Sequence, residues 1–164
     1  MSVENVKSYL DACGLADRVI EFTVSSATVA LAAQALGCEE AHIAKTLSFM
    51  QGETPVLIVM AGDARVDNSR YKMRFSQKAK MLTPDEAITY TGHAVGGVCP
   101  FALPDGVTVW LDESLLRFET VYPAAGSAAS AVRLTPKELE TASRAAGWVD
   151  VCRGWRPEEK EAQA

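Results

Sequence analysis

The chain has 164 residues, 48% hydrophobic and 23% charged, with a formal net charge of −5. That composition fits one domain with ample apolar material for a core. It offers no apolar run of the roughly 20 residues that cross a bilayer, and its acidic balance argues against indiscriminate nucleic-acid binding.

Met1-Ser2-Val3-Glu4-Asn5 lacks the basic and apolar blocks of a signal peptide, so a cytoplasmic location without membrane contact is expected. Ser2 is the expected N-cap of a first helix. Val3, Val6, Leu10 and Cys13 mark its one face, and Gly14 stops it. Val19 to Val24 reads as a short strand. A second helix follows Ser25 or Ser26, carries the stripe Val29, Ala32, Ala33 and Leu36, and ends at Gly37. The hydroxyls of Thr23, Ser25, Ser26 and Thr28 cap it or line a cleft.

Residues 43–50 read as a strand, Gln51-Gly52-Glu53-Thr54 as a hairpin turn, and Pro55 opens the next strand. Val56-Leu57-Ile58-Val59-Met60 is apolar on both faces, which places it centrally in a sheet. A basic helix is expected over Asn68 to Phe75. Thr83-Pro84-Asp85-Glu86 is a capping box with proline at the first helical position, and Gly92 ends that helix. Val107 to Leu111 and Ser130 to Leu134 read as strands, with Asp112 or Glu113 starting a short helical turn between them. Thr135-Pro136-Lys137-Glu138 opens a last helix that Gly147 ends, and Trp148 to Cys152 closes the fold as a strand or extended segment. Interspersed strands and helices with a tight hairpin predict an α+β (mixed α/β) domain, a central mixed sheet surrounded by helices. Residues 1–152 make that single domain and 153–164 a polar C-terminal tail.

Two features carry chemistry. Strand alternation puts Lys45 on the face of Leu47 and Phe49, and Thr46 on the other with Ser48. If Leu47 and Phe49 face the core, Lys45 points inward too. A lysine there needs a partner or a task, such as holding a phosphate or an oxyanion; at a slipped strand end it simply reaches solvent. The second feature is Gly96-Gly97-Val98-Cys99-Pro100. Paired glycines permit unusual torsions and let a substrate approach the main chain, although a structural turn uses them equally.

The cysteines at 13, 38, 99 and 152 form no Cys-x-x-Cys pair, which speaks for reduced thiols; Cys13 and Cys38, near helix ends, read as small core residues. Cys99 with His93 would make a thiol hydrolase only if the fold joined them, and no family signature surrounds Cys99. His42 with Cys38 supplies two ligands, too few for a metal site. Between Arg65 and Lys80 stand six basic residues, Arg65, Arg70, Lys72, Arg74, Lys78 and Lys80, either a solvated face or a local anion-binding patch.

These features occur in a familiar order. Glu40-Ala41-His42-Ile43-Ala44-Lys45-Thr46-Leu47 resembles the lysine-bearing strand of the YbaK/ProX family, aminoacyl-tRNA deacylases related to the editing insertion domain of bacterial prolyl-tRNA synthetase. Gly96 to Pro100 resembles that family's Gly-x-x-x-Pro loop. Val121-Tyr122-Pro123-Ala124-Ala125-Gly126-Ser127, with Ala131 to Leu139, resembles its C-terminal strand and helix. The resemblance spans residues 2–150.

The resemblance implies hydrolysis of the ester joining a mischarged amino acid to the terminal adenosine of tRNA. Lys45, Gly96, Gly97 and Pro100 are the implied catalytic set. In that scheme Lys45 binds the terminal phosphate or ribose, and the loop's main chain engages the aminoacyl carbonyl and ammonium. Val98, Cys99, Phe101 and Thr46 are expected to bind substrate, and Arg65, Arg70, Lys72, Arg74 and Lys78 the tRNA acceptor end. No metal, other cofactor or catalytic cysteine is implied; water or a substrate group is the nucleophile. A synthetase or elongation factor is a transient partner, and the chain is a monomer or a homodimer.

Cys99 occupies a variable loop position, Ala102 stands where many relatives have glycine, and Ser127 to Ser130 replaces a more basic or glycine-rich stretch. Gly96-Gly97 leans towards the cysteine-specific branch and Pro100-Phe101 towards the alanine-specific one. A small amino acid, cysteine or alanine on the proline tRNA, is the expected target. The alternative is an inactive module of the same fold that binds tRNA or a synthetase.

Overall fold

The computed structural model describes residues 2–23, 28–94 and 96–159. In chain order, α1 (Ser2–Ala12) leads to β1 (Val19–Glu21), then α2 (Val29–Leu36), β2 (Ile43–Gln51), β3 (Thr54–Ala61), β4 (Arg65–Val66), α3 (Asn68–Phe75) and α4 (Pro84–Thr91). Next come β5 (Thr108–Asp112), β6 (Tyr122–Pro123), β7 (Ser130–Val132), α5 (Pro136–Ser143), β8 (Gly147–Val149) and β9 (Cys152–Arg153).

The main sheet has the order β6-β2-β3-β5-β8. Only the β2–β3 hairpin is antiparallel; the other three pairings are parallel, so the sheet is mixed as expected. β3 is its middle strand, and Leu57, Ile58, Val59 and Met60 are fully buried there. Each such side chain withdrawn from water stabilises the fold by about 1.5–3 kcal/mol. Two small antiparallel pairs, β1–β7 and β4–β9, flank the sheet.

The caps follow local chemistry. Thr83 and Thr135 each accept the N–H of the glutamate three residues on, and Glu86 and Glu138 return a bond to the threonine N–H. Asp67 caps α3 by accepting from Arg70 N–H at 3.0 Å. Asp112 accepts from Ser114 N–H and so opens the expected helical turn, Glu113–Arg117.

Several expectations need correction. α2 starts at Val29, with the Thr28 hydroxyl accepting from Leu31 N–H at 3.1 Å; Ser25 and Ser26 lie outside the described residues. β1 ends at Glu21 and β7 at Val132. Gly147 does not end α5. Arg144 does, in a left-handed conformation at φ 53°, and Gly147 opens β8, where a Cβ would lie 3.2 Å from the Trp110 ring. The closing strand is broken into β8 and β9, because Val151 N–H turns aside to the Asp112 carboxylate at 3.0 Å. Cys13 is exposed rather than a core residue, and Cys38 is half-buried.

Of the segment expected as a polar tail, residues 153–159 are described and lie against the domain. Arg153 pairs in β9, the half-buried Trp155 packs on the core, and Arg156 reaches Asp150 at 2.7 Å. Among the described residues, no helix is long and apolar enough to cross a membrane.

Candidate active site

β2 carries the site because, among the described residues, its outer edge is covered only at the two ends. Its inner edge pairs with β3 from Ala44 to Gln51. On the outer edge, β6 covers Ile43 and Ala44. The segment 80–82 covers the other end: Met50 N–H donates to the Lys80 carbonyl at 2.9 Å, and Leu82 N–H to the Ser48 carbonyl at 3.0 Å. Between them, Lys45, Thr46 and Leu47 have no strand neighbour on that edge among the described residues.

A cavity of about 550 Å³ opens at this gap. Its walls come from Ile43 to Ser48 of β2, from Val29, Ala32 and Leu36 of α2, from Pro84 and Ala87 of α4, and from Gly96, Val98, Tyr122 and Ser130. Lys45 is the only lysine, arginine, histidine, aspartate or glutamate among the described lining residues. Burial holds its ammonium below the ordinary lysine value; Cys152 and Asp63 oppose that shift and Arg65 adds to it. The Thr46 hydroxyl oxygen is sealed from solvent and has no hydrogen-bond partner among the described residues.

The glycine loop divides in two. Gly96, at φ 93°, a conformation open to glycine, lines the cavity together with Val98. Gly97 does not line it. A Cβ there would stand 2.7 Å from Gly126 and Ser127, so this glycine is needed for loop-to-loop packing rather than for substrate approach. Cys99, Pro100 and Phe101 are buried and do not line the cavity either.

Cys99 does meet His93, with Sγ 3.5 Å from Nε2. That nitrogen also lies 2.8 Å from the Phe101 carbonyl oxygen. A carbonyl only accepts, so Nε2 carries the proton and cannot act as a base towards the thiol. Burial pushes Cys99 up to about 12 and holds His93 below the usual histidine value. The thiol-hydrolase alternative is corrected accordingly: this pair is packing, not a nucleophile and its base.

The basic run is split by partners. Arg70 donates to Asp150 at 3.1 Å and to the Cys152 carbonyl, and Arg74 stacks 4.8 Å over the Trp110 ring. Arg65, Lys72 and Lys78 are exposed. A second cavity, about 430 Å³, shares Tyr122 with the first and is lined by Cys38, His42, Arg117 and Phe118. Among the described residues no cluster of three metal-ligating side chains exists.

Lys45, Thr46, Gly96 and Val98 meet at one cavity, whose apolar walls carry no sequence signal of their own. Val29, Ala32, Ala33 and Leu36 form a stripe indistinguishable from a core face, yet only Ala33 is buried and the other three line the cavity. Nothing in Pro84 or Ala87 beyond their helix signals them as wall residues.

The chain is similar to several known proteins. The sequence profile of the aminoacyl-tRNA editing domain matches residues 23–142. The uncharacterized protein YwhH of Bacillus subtilis (strain 168) is 47% identical over 156 residues, covering 94% of this chain and 99% of that protein. A solved structure of a candidate trans-editing enzyme for prolyl tRNA synthetase superposes with a TM-score of 0.85 at 32% identity, covering 93% of this chain and 98% of the other. The hypothetical protein APE2540 superposes with a TM-score of 0.82 at 31% identity, covering 91% and 99%.

Proposed function

We propose that this chain, which belongs to the aminoacyl-tRNA editing domain family, is a trans-editing hydrolase that cuts the ester between a small, wrongly attached amino acid and a transfer RNA. Alanine or cysteine on the proline acceptor is the first substrate to test. The observation that carries the reading is the position of Lys45, the one charged side chain among the described residues that line the cavity, at a strand edge that none of them pairs.

An aminoacyl ester is already activated, so positioning and charge stabilisation account for much of what a catalyst must supply. Protonated Lys45 holds the terminal phosphate or ribose as a point charge, and the ester then lies along β2 towards Gly96 and Val98. Water adds to the acyl carbon, the bond to the ribose oxygen breaks, and that oxygen leaves with the electron pair and takes up a proton the water gives up. The products are a free amino acid and a tRNA with its terminal hydroxyl restored.

The apolar walls from α2 and α4 suit an uncharged side chain. One methylene in such a pocket is worth only about 1–3 kcal/mol. The exposed Arg65, Lys72 and Lys78 hold the acceptor-stem backbone, with no membrane or cofactor involved.

The test is deacylation of alanyl-, cysteinyl- and seryl-tRNA bearing the proline acceptor, with prolyl-tRNA as control, by wild type and Lys45→Ala. Loss of one mischarged species, spared in the variant, with prolyl-tRNA intact, is the expected result. No turnover across the panel overturns the hydrolase reading; tight, salt-sensitive tRNA binding without turnover replaces it with a binding module.

A further inference from the structure

We infer that the aminoacyl group docks on the main chain of Thr46 as a one-residue extension of the sheet, its ammonium donating to the Thr46 carbonyl and its ester carbonyl accepting from the Thr46 N–H. This inference rests on the editing reading above and specifies how the substrate is held.

Successive residues of a strand turn their main-chain groups to opposite edges. On β2, Ser48 and Met50 turn theirs outward, because Ser48 accepts from Leu82 N–H and Met50 donates to Lys80. Thr46, two residues before Ser48, therefore presents its N–H and carbonyl to the same outer edge. Its neighbours there are Ala44, covered by β6, and Ser48, covered by the segment 80–82. Thr46 is thus the residue whose outward pair opens into the cavity.

In a hydrogen-bonded antiparallel pair, one residue gives its N–H to, and takes its N–H bond from, a single residue opposite. The α-nitrogen and the acyl carbonyl of an aminoacyl ester are that opposite residue.

Charge points the same way. The ammonium enters a cavity in which no described lining residue is acidic and the one charged group is a cation, Lys45. A neutral main-chain carbonyl is an acceptor that such a cavity can offer. The partner bond, from Thr46 N–H to the acyl oxygen, strengthens as that oxygen gains negative charge during attack by water.

Side chains of directly opposed residues share a face, their Cβ atoms about 4.5–5.5 Å apart. The Thr46 side chain, whose buried hydroxyl has no partner among the described residues, then stands beside the amino acid's own side chain and shapes which one is accepted.

The experiment uses the full chain, ¹⁵N-labelled, with 3′-(L-alanylamino)-3′-deoxyadenosine 5′-phosphate, whose amide link resists hydrolysis. At saturation the Thr46 amide resonance moves and its exchange with solvent slows by about tenfold, as one added hydrogen bond predicts. A Thr46 amide that neither shifts nor gains protection while the probe saturates the protein overturns the inference, and so does a probe that does not bind at millimolar concentration. Thr46→Pro removes this N–H without touching the β2–β3 ladder, at an edge where proline is tolerated. About tenfold weaker probe binding by that variant supports the pairing, and unchanged affinity overturns it; if the variant does not fold, the wild-type amide decides. The hydrolase reading is judged apart, by turnover of the tRNA panel. Turnover with a silent Thr46 amide removes only the pairing; a protected amide without turnover keeps the pairing and removes the hydrolase.

Discussion

Cys99 Sγ stands 3.5 Å from His93 Nε2, the spacing of a nucleophile and its base, yet the proton on that nitrogen is committed to the Phe101 carbonyl. Cys99 is also fully buried. Cys99→Ala is therefore expected to keep most of the deacylation rate and to lower stability by about 1–2 kcal/mol through a small cavity. Rate and urea midpoint measured on one preparation check both; loss of activity in a folded variant restores the thiol mechanism.

The depressed Lys45 ammonium sets a pH dependence for binding. Only the protonated form attracts phosphate. Affinity for the phosphorylated amide probe thus falls as pH rises through a midpoint below the ordinary 10.5. Lys45→Arg carries a guanidinium that stays protonated and removes the part of the alkaline limb that Lys45 contributes, leaving that of the probe's own α-ammonium. Titration of probe affinity between neutral and alkaline pH shows the limb; a wild-type profile flat to pH 10.5 would exclude a charge contact at Lys45.

Gly97 has no room for a side chain. Gly97→Ala drives a Cβ to 2.7 Å from the Gly126 carbonyl group, which is backbone and cannot swing aside. The expected cost is about 1–3 kcal/mol from overpacking. The shifted Gly96 and Val98 should depress turnover as well. Thermal unfolding beside deacylation measures the two effects, and an unchanged melting temperature contradicts the packing role.

Basic residues should separate by what already holds them. Lys72→Ala and Lys78→Ala each remove an exposed cation and are expected to lower the salt slope of tRNA binding by about 1. Arg70→Ala, which breaks the contacts to Asp150 and Cys152, should act more on stability than on that slope. Binding measured at several salt concentrations distinguishes them; equal slopes for all three variants would place the tRNA elsewhere.

Local chemistry was the legible part of the sequence. The capping boxes at Thr83 and Thr135 and the hairpin at Gly52 are decided by residues within four positions of each other, and all three form as expected. The end of α5 escaped because a left-handed Arg144 carries no mark that glycine would have given. The face of β2 was only half the matter: Lys45 matters through the gap in its strand's outer edge, and that gap depends on where β6 and the segment 80–82 stop. Gly97 looked like a substrate contact because a glycine kept for a neighbouring loop and one kept for a ligand are the same letter. The span 153–164 reads as a polar tail from its charged residues, yet Trp155 within it packs on the core.

The parallel strand β6 has a consequence for when the site can exist. The cavity draws its walls from Thr28 through Ala131, and Tyr122 and Ala124 enter it only after the chain has crossed back to lie beside β2. The β2–β3 hairpin closes over two residues and forms early, whereas the β2–β6 pairing spans nearly half the chain and waits on slow, long-range loop closure. A ribosome-bound chain halted before Tyr122 would lack the wall that Tyr122, Ala124, Ser130 and Ala131 supply. The cavity is thus incomplete in the nascent chain until the fold is nearly finished.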